Sequence, residues 1–320
     1  MTDLAAPPSP TSRNASRAYV LALLTLVYTF NHIDRQVLVI LLEPIKADLK
    51  LDDAQLGLLT GLAFAAFYAT LGIPMAMWAD RGNRRTIISL SLAVWSGMTA
   101  VSGLAQNFWH LLVARMGVGV GEAGGTPPAT SIISDLYAPH ERATALGIYT
   151  TGIGFGILGG FALGGLVYEA FGWRAAFFIA GIPGLILALL VRFTLKEPKR
   201  GAIEQRVDDG EAPSIGETLK FISGQTSFLL LLLGCCLICV SANAFLVFTS
   251  SHLQRTFDVG PGDVSIPLGL LIGGVGGVGA VVVGKICDRM SSKNLAWRPW
   301  TIAACGALAL PFAWLFLQAD

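Results

Sequence analysis

What most constrains this chain is a succession of apolar stretches, each about as long as a bilayer is thick. A spanning helix needs about 20 mainly apolar residues. That ruler marks nine segments, near 18–43, 55–79, 86–106, 108–131, 141–168, 174–193, 227–250, 264–286 and 299–318. None alternates apolar and polar residues as barrel strands do, and in lipid an open backbone is satisfied only inside a helix. An all-α membrane protein is therefore predicted. Composition agrees: 13% of residues are charged, against about a quarter in soluble domains. Mean hydropathy is +0.63. A net charge of +1 offers no electrostatic footprint for nucleic acid.

The five cysteines lie in or near apolar runs, so neither a disulfide framework nor a metal cluster is expected. Residues 1–17, rich in Pro, Ser and Ala, read as a disordered tail. No P-loop, zincin motif or nucleophile elbow is present, so no enzyme, no cofactor and no nucleotide-driven pump is expected. Orientation comes from basic residues. With the N-terminus inside, Arg13, Arg17, Arg81, Arg84, Arg85, Arg142, Lys196, Lys199, Arg200, Arg206, Lys285, Arg289, Lys293 and Arg298 fall in or beside cytoplasmic loops. The outer loops keep Lys46, Lys50, Arg174 and Arg255.

The longest polar stretch, 194–226, divides an N-terminal six-helix half, 18–193, from an incomplete C-terminal half, 227–320, of about three helices. Two such blocks suggest a repeated architecture. The loop after the second segment reads Asp80-Arg81-Gly82-Asn83-Arg84-Arg85, and the loop after the eighth reads Asp288-Arg289-Met290-Ser291-Ser292-Lys293.

Gly72 with Asp80-Arg81-Gly82-Asn83-Arg84-Arg85 resembles the helix 2–3 loop motif of the major facilitator superfamily. Arg115 with Gly119-Val120-Gly121 is similar to that superfamily's helix-4 motif, and the glycines from Gly152 to Gly165 to its helix 5. Asn31-His32-Ile33-Asp34-Arg35 together with Gly121-Glu122-Ala123 resembles the spinster-like branch. The resemblance implies a major facilitator fold with about nine of twelve transmembrane helices present. It also implies a gating charge network at Gly72, Asp80, Arg81 and Arg84, echoed at Asp288 and Arg289.

Four charged residues lie deep in the spans of the first half: Asp34 and Arg35 in helix 1, Arg115 and Glu122 in helix 4. Each costs about 2.5–3.5 kcal/mol near a helix centre, so it is expected to face a cavity and a partner. Asn31, Asp34 and Arg35 share one helix face, and Glu122 lies about 10 Å deeper than Arg115 on the same face. Two acids and two bases can form a neutral cluster, a minimum apparatus for proton coupling. His32 is a further candidate proton carrier. The expected function is secondary active transport by alternating access, proton-coupled, of an amphipathic lipid-like or organic anionic small molecule. The lipid comes from the resemblance, since eukaryotic spinster relatives export sphingosine phosphate and lysolipids. The alternative is a non-transporting membrane sensor or degenerate pseudo-transporter. The expected partners are a small-molecule substrate, protons and the lipid bilayer of an inner (plasma) membrane, with the protein a monomer.

Overall fold

The structure, a computed structural model, describes residues 10–201, 215–292, 294 and 296–318. All nine expected segments fall on helical chain among them, with different seams. Helix α1 (Pro10–Ile40) starts inside the stretch expected as a disordered tail, and residues 1–9 lie outside the described ones. A short α2 (Leu42–Leu49) follows, ending at Lys50 in the left-handed region. The next run begins where Asp52 makes a capping box with Gln55: the Gln55 backbone N–H donates to Asp52 Oδ1 at 2.7 Å. It comprises α3 (Asp53–Gly57), a π-helical turn (Leu58–Leu62) and α4 (Ala63–Arg81).

Asn83 caps α5 (Arg84–Ser102) and Asn107 caps α6 (Phe108–Glu122) by accepting from the N–H three residues on. The fourth segment is not the continuous helix expected. It breaks after Glu122, across Ala123-Gly124-Gly125, and resumes with Pro127 and Pro128 inside the first turn of α7 (Thr126–Leu136), where a missing N–H costs nothing. The fifth and sixth segments form one 56-residue run, α8 (Pro139–Thr194), too long for a single crossing. Its only seam is Gly172, whose φ of 81° suits glycine. Then come α9 (Ile215–Ser223), a helix inside the polar stretch expected to divide two halves, α10 (Thr226–Phe257), α11 (Pro261–Leu268), a π-helical segment (Gly269–Val275), α12 (Gly276–Ser291) and α13 (Trp297–Leu317).

Among the described residues, five runs are long and apolar enough by themselves to cross a membrane: Asp53–Arg81, Pro139–Thr194, Thr226–Phe257, Pro261–Ser291 and Pro299–Leu317. Helix α6 falls short because the break at Glu122 leaves it 15 residues long, and α1 carries Asn31, His32, Asp34 and Arg35 in its C-terminal half.

The chain forms two compact units. The first holds α1 to α8 and the segment Gly260–Gly274; the second holds α9, α10, α12 and α13. Within the first unit α8 lies along α1, its glycines taking the backbone of the neighbour. A Cβ on Gly152, Gly156 or Gly160 would lie 2.6–2.9 Å from the carbonyl oxygen of Thr25, Thr29 or Ile33. The core beside this seam gathers Leu24, Leu92, Trp95, Val118, Ile133 and Val191 from five helices.

Candidate functional site

The break in the fourth segment positions the site. Glu122 is the last residue of α6, and its fully buried side chain points back toward α1. There Arg35 meets it: the Arg35 Nε donates to Glu122 Oε2 at 2.6 Å, and one terminal guanidinium nitrogen contacts the same oxygen. The other carboxylate oxygen, Oε1, is buried and accepts nothing. Glycines allow this approach. A Cβ on Gly121 would stand 2.6 Å from the Trp95 nitrogen of α5, and one on Gly119 2.8 Å from the Phe64 carbonyl of α4.

Asp34 is fully buried and neither of its oxygens accepts a hydrogen bond; Thr99 of α5 and the charges of Arg115 and Glu122 are among its neighbours. Arg115 is buried, with Nε and one terminal nitrogen unpartnered. The structure thus gathers the four expected charges but pairs only two of them, Arg35 with Glu122. Asn31 is buried at the margin. His32 turns away: its Nδ1 lies 3.1 Å from the Tyr28 carbonyl oxygen and its ring stands edge-on to Tyr28 at 4.7 Å.

Two residues that the sequence did not single out complete the site. Phe64 and Tyr68 of α4 stack at 5.4 Å, and the Arg35 guanidinium lies 4.6 Å and 5.3 Å from their centroids. Arg115 reaches the same Phe64 ring at 5.7 Å. Their spacing of four on a helix was the available signal, but aromatic residues four apart are ordinary in an apolar run.

The loop-motif residues separate from one another. Arg84 is fully buried: its Nε donates to Glu197 Oε1 at 2.8 Å, NH1 to Asp135 Oδ2 and Ser131 Oγ, and NH2 to the Pro198 carbonyl. Arg200 donates to the carbonyls of Ala79, Asp80 and Gly82, closing the end of α4. Asp80 and Arg81 themselves are exposed, and neither makes an ion pair among the described residues. Gly72 faces open space, so no close approach demands glycine there. Asp288 and Arg289 are exposed on α12 in the second unit. Among the described residues no group of His, Cys, Asp or Glu could hold a metal.

Known proteins add to this geometry. The sequence model of the Major Facilitator Superfamily matches residues 24–320. An MFS-type efflux pump of Mycolicibacterium smegmatis is 32% identical over 288 residues, covering 90% of this chain and 66% of the pump. Protein spinster homolog 1 of Homo sapiens is 30% identical over 323 residues, covering 94% of this chain and 60% of that protein. The solved structure of a bacterial homolog to the human lysosomal transporter Spinster, inward-facing and unoccupied, superposes with a TM-score of 0.77 at 36% identity. It covers 90% of this chain and 64% of that one. The chain therefore spans less than two thirds of the length of these relatives.

Proposed function

From the premise that this chain belongs to the major facilitator superfamily, in its spinster-like branch, we propose that it is a secondary active transporter working by alternating access and driven by protons. The superfamily's members are transporters rather than enzymes. The observation that carries the proton coupling is the pair that the buried Glu122 makes with the partly exposed Arg35, beside the unpaired Asp34. Removing the charge of one partner from a buried pair strands the other at several kcal/mol. A proton arriving at the free Glu122 Oε1 would therefore release Arg35, and Asp34 is the acid within the same cluster to receive it. The proton raises the cluster's charge by one, a change that an anionic cargo can balance while the helices that carry the cluster move.

The cargo in this reading is an amphipathic lipid-like or organic anionic small molecule. A freed Arg35, about a third exposed, is the group that would hold an anionic head, and the rings of Phe64 and Tyr68 offer apolar surface beside it. The mycobacterial relative is named an efflux pump, which supports outward transport. The protein would act as a monomer in the inner (plasma) membrane with its N-terminus in the cytoplasm.

The test is uptake into proteoliposomes of lysolipid and organic-anion panels, with and without a pH gradient. Glu122→Gln and Asp34→Asn are each expected to abolish gradient-driven uptake while sparing counterflow exchange, which needs no net proton movement. Normal driven uptake in both variants would make the cluster a structural salt bridge and sink the coupling.

A further inference from the structure

An arginine inside a membrane protein can swing through several ångströms on its flexible stem, so a carboxylate alone fixes its plane poorly. Arg35 is held on more than one side. Its Nε and a terminal nitrogen meet one oxygen of Glu122, and its guanidinium lies over two rings that are themselves stacked, Phe64 at 4.6 Å and Tyr68 at 5.3 Å. Both distances lie within the 6 Å or so over which a ring face attracts a cation. Arg115 lies within the same reach of Phe64, so one ring face system serves both cations of the cluster.

The rings are placed by features that have no other evident purpose. The backbone at Phe64 is pressed against Gly119 of α6, where any Cβ would sit 2.8 Å from the Phe64 carbonyl oxygen. Immediately before Phe64 the chain makes the π-helical turn Leu58–Leu62. Such a turn adds a residue to the helical repeat and re-aims the side chains beyond it, and it is frequent at functional positions. Gly119 stands four residues from Arg115 and three from Glu122, so the contact that seats Phe64 lies between the two charges on α6, about one turn from each.

We propose that Phe64 and Tyr68 are positioning residues, an aromatic platform on α4 that holds the Arg35 guanidinium on Glu122. The platform ties the charge cluster of α1 and α6 to the helix that ends in Asp80 and Arg81. A change of charge on Glu122 is then felt by α4 through Arg35. The inference rests on the transport reading for its functional meaning, but its test does not depend on any substrate.

The experiment is chemical modification of the purified protein with phenylglyoxal, which attacks free guanidinium groups, followed by peptide mass spectrometry at Arg35. Arg174, a half-buried guanidinium that pairs with Asp48 and lies over the Trp173 ring, is the internal reference. Phe64→Leu and Tyr68→Leu are each expected to speed modification of Arg35 about fivefold, the worth of one cation–ring contact. The Arg174 rate should not change. Phe64→Tyr, which keeps a ring, should return Arg35 to the wild-type rate, whereas Phe64→Met, which fills much of the same space without a ring, should not. Wild-type rates at Arg35 in both leucine variants would overturn the proposal, because Glu122 alone would then be enough. Should Phe64→Leu fail to fold, Tyr68→Leu and Phe64→Tyr still decide the matter. Faster modification accompanied by unimpaired gradient-driven uptake would support the platform and show that coupling does not depend on it.

Discussion

Arg84 shows how differently neighbours in one motif can be used. Sequence puts Asp80, Arg81, Arg84 and Arg85 together as a basic loop, and a guanidinium at a cytoplasmic edge is read first as an anchor facing water. The structure buries Arg84 completely between Asp135 and Glu197 and leaves Asp80 exposed. Nothing near Arg84 in the sequence announces this, because its partners lie 51 and 113 residues away. Losing the cation strands two acids, so Arg84→Ala is expected to lower stability by about 3 kcal/mol or more, read as a clear fall in Tm in detergent. Arg84→Lys should recover little, since an ammonium cannot spread its donors over two carboxylates, a hydroxyl and a carbonyl at once. Asp80→Asn, in contrast, should leave Tm unchanged. If Asp80 gates, its signature is altered access of probes to the two membrane sides with stability intact. The four charges of the cluster were legible one by one, because lipid makes every intramembrane charge conspicuous. Which acid takes which base was not, because that is settled by side-chain direction and by the break that ends α6 at Glu122.

Among the elements, the helices were largely legible and their seams were not. Hydropathy over a 20-residue window reports burial in lipid and is blind to an extra residue per turn or to a single left-handed glycine. The two π-helical segments, the break at Ala123–Gly125 and the one-residue join at Gly172 were therefore invisible to it. The glycines of the fifth segment were legible as a class, and their individual duties differ. Gly156→Ala drives a Cβ to 2.6 Å from the Thr29 carbonyl and 2.4 Å from the His32 Cβ, backbone or near-backbone atoms that cannot step aside. It is expected to cost about 2 kcal/mol, the scale of overpacking. Gly147 on the same helix faces open space, so Gly147→Ala should be neutral or stabilise by up to about 1 kcal/mol through helix propensity. Thermal melts of the two variants side by side test whether α8 is seated on α1 as described; equal effects would refute that seating.

For the whole molecule, what remains to be measured is which way it faces. The apolar runs Thr226–Phe257 and Pro299–Leu317 keep none of their most apolar windows inside the protein, as befits helices whose surface lies in acyl chains. Lipid does not by itself choose an orientation; the loops do. Basic residues resist transfer across the membrane, so the side richer in Lys and Arg stays in the cytoplasm. The end of α4, the start of α5, the last turns of α12 and the stretch after α8 carry Arg81, Arg85, Lys196, Lys199, Lys285 and Arg289, whereas Lys46, Lys50, Arg174 and Arg255 lie near the connections expected on the other side. Part of this signal is internal: Arg84 and Arg200 are committed to Asp135, Glu197 and the carbonyls closing α4. The asymmetry survives their removal from the count, and the outer side loses charge too, because Arg174 pairs with Asp48 at 2.8 Å and Lys46 with Asp53 at 2.6 Å. A reporter enzyme fused after Arg200 is therefore expected to be active in the cytoplasm, and one placed at Asp258, in the turn between α10 and α11, to be active outside. Both positions on one side would mean that the crossings between them are miscounted. The reverse pattern would invert the molecule and place the end of α4, with Asp80 and Arg84, on the outer face.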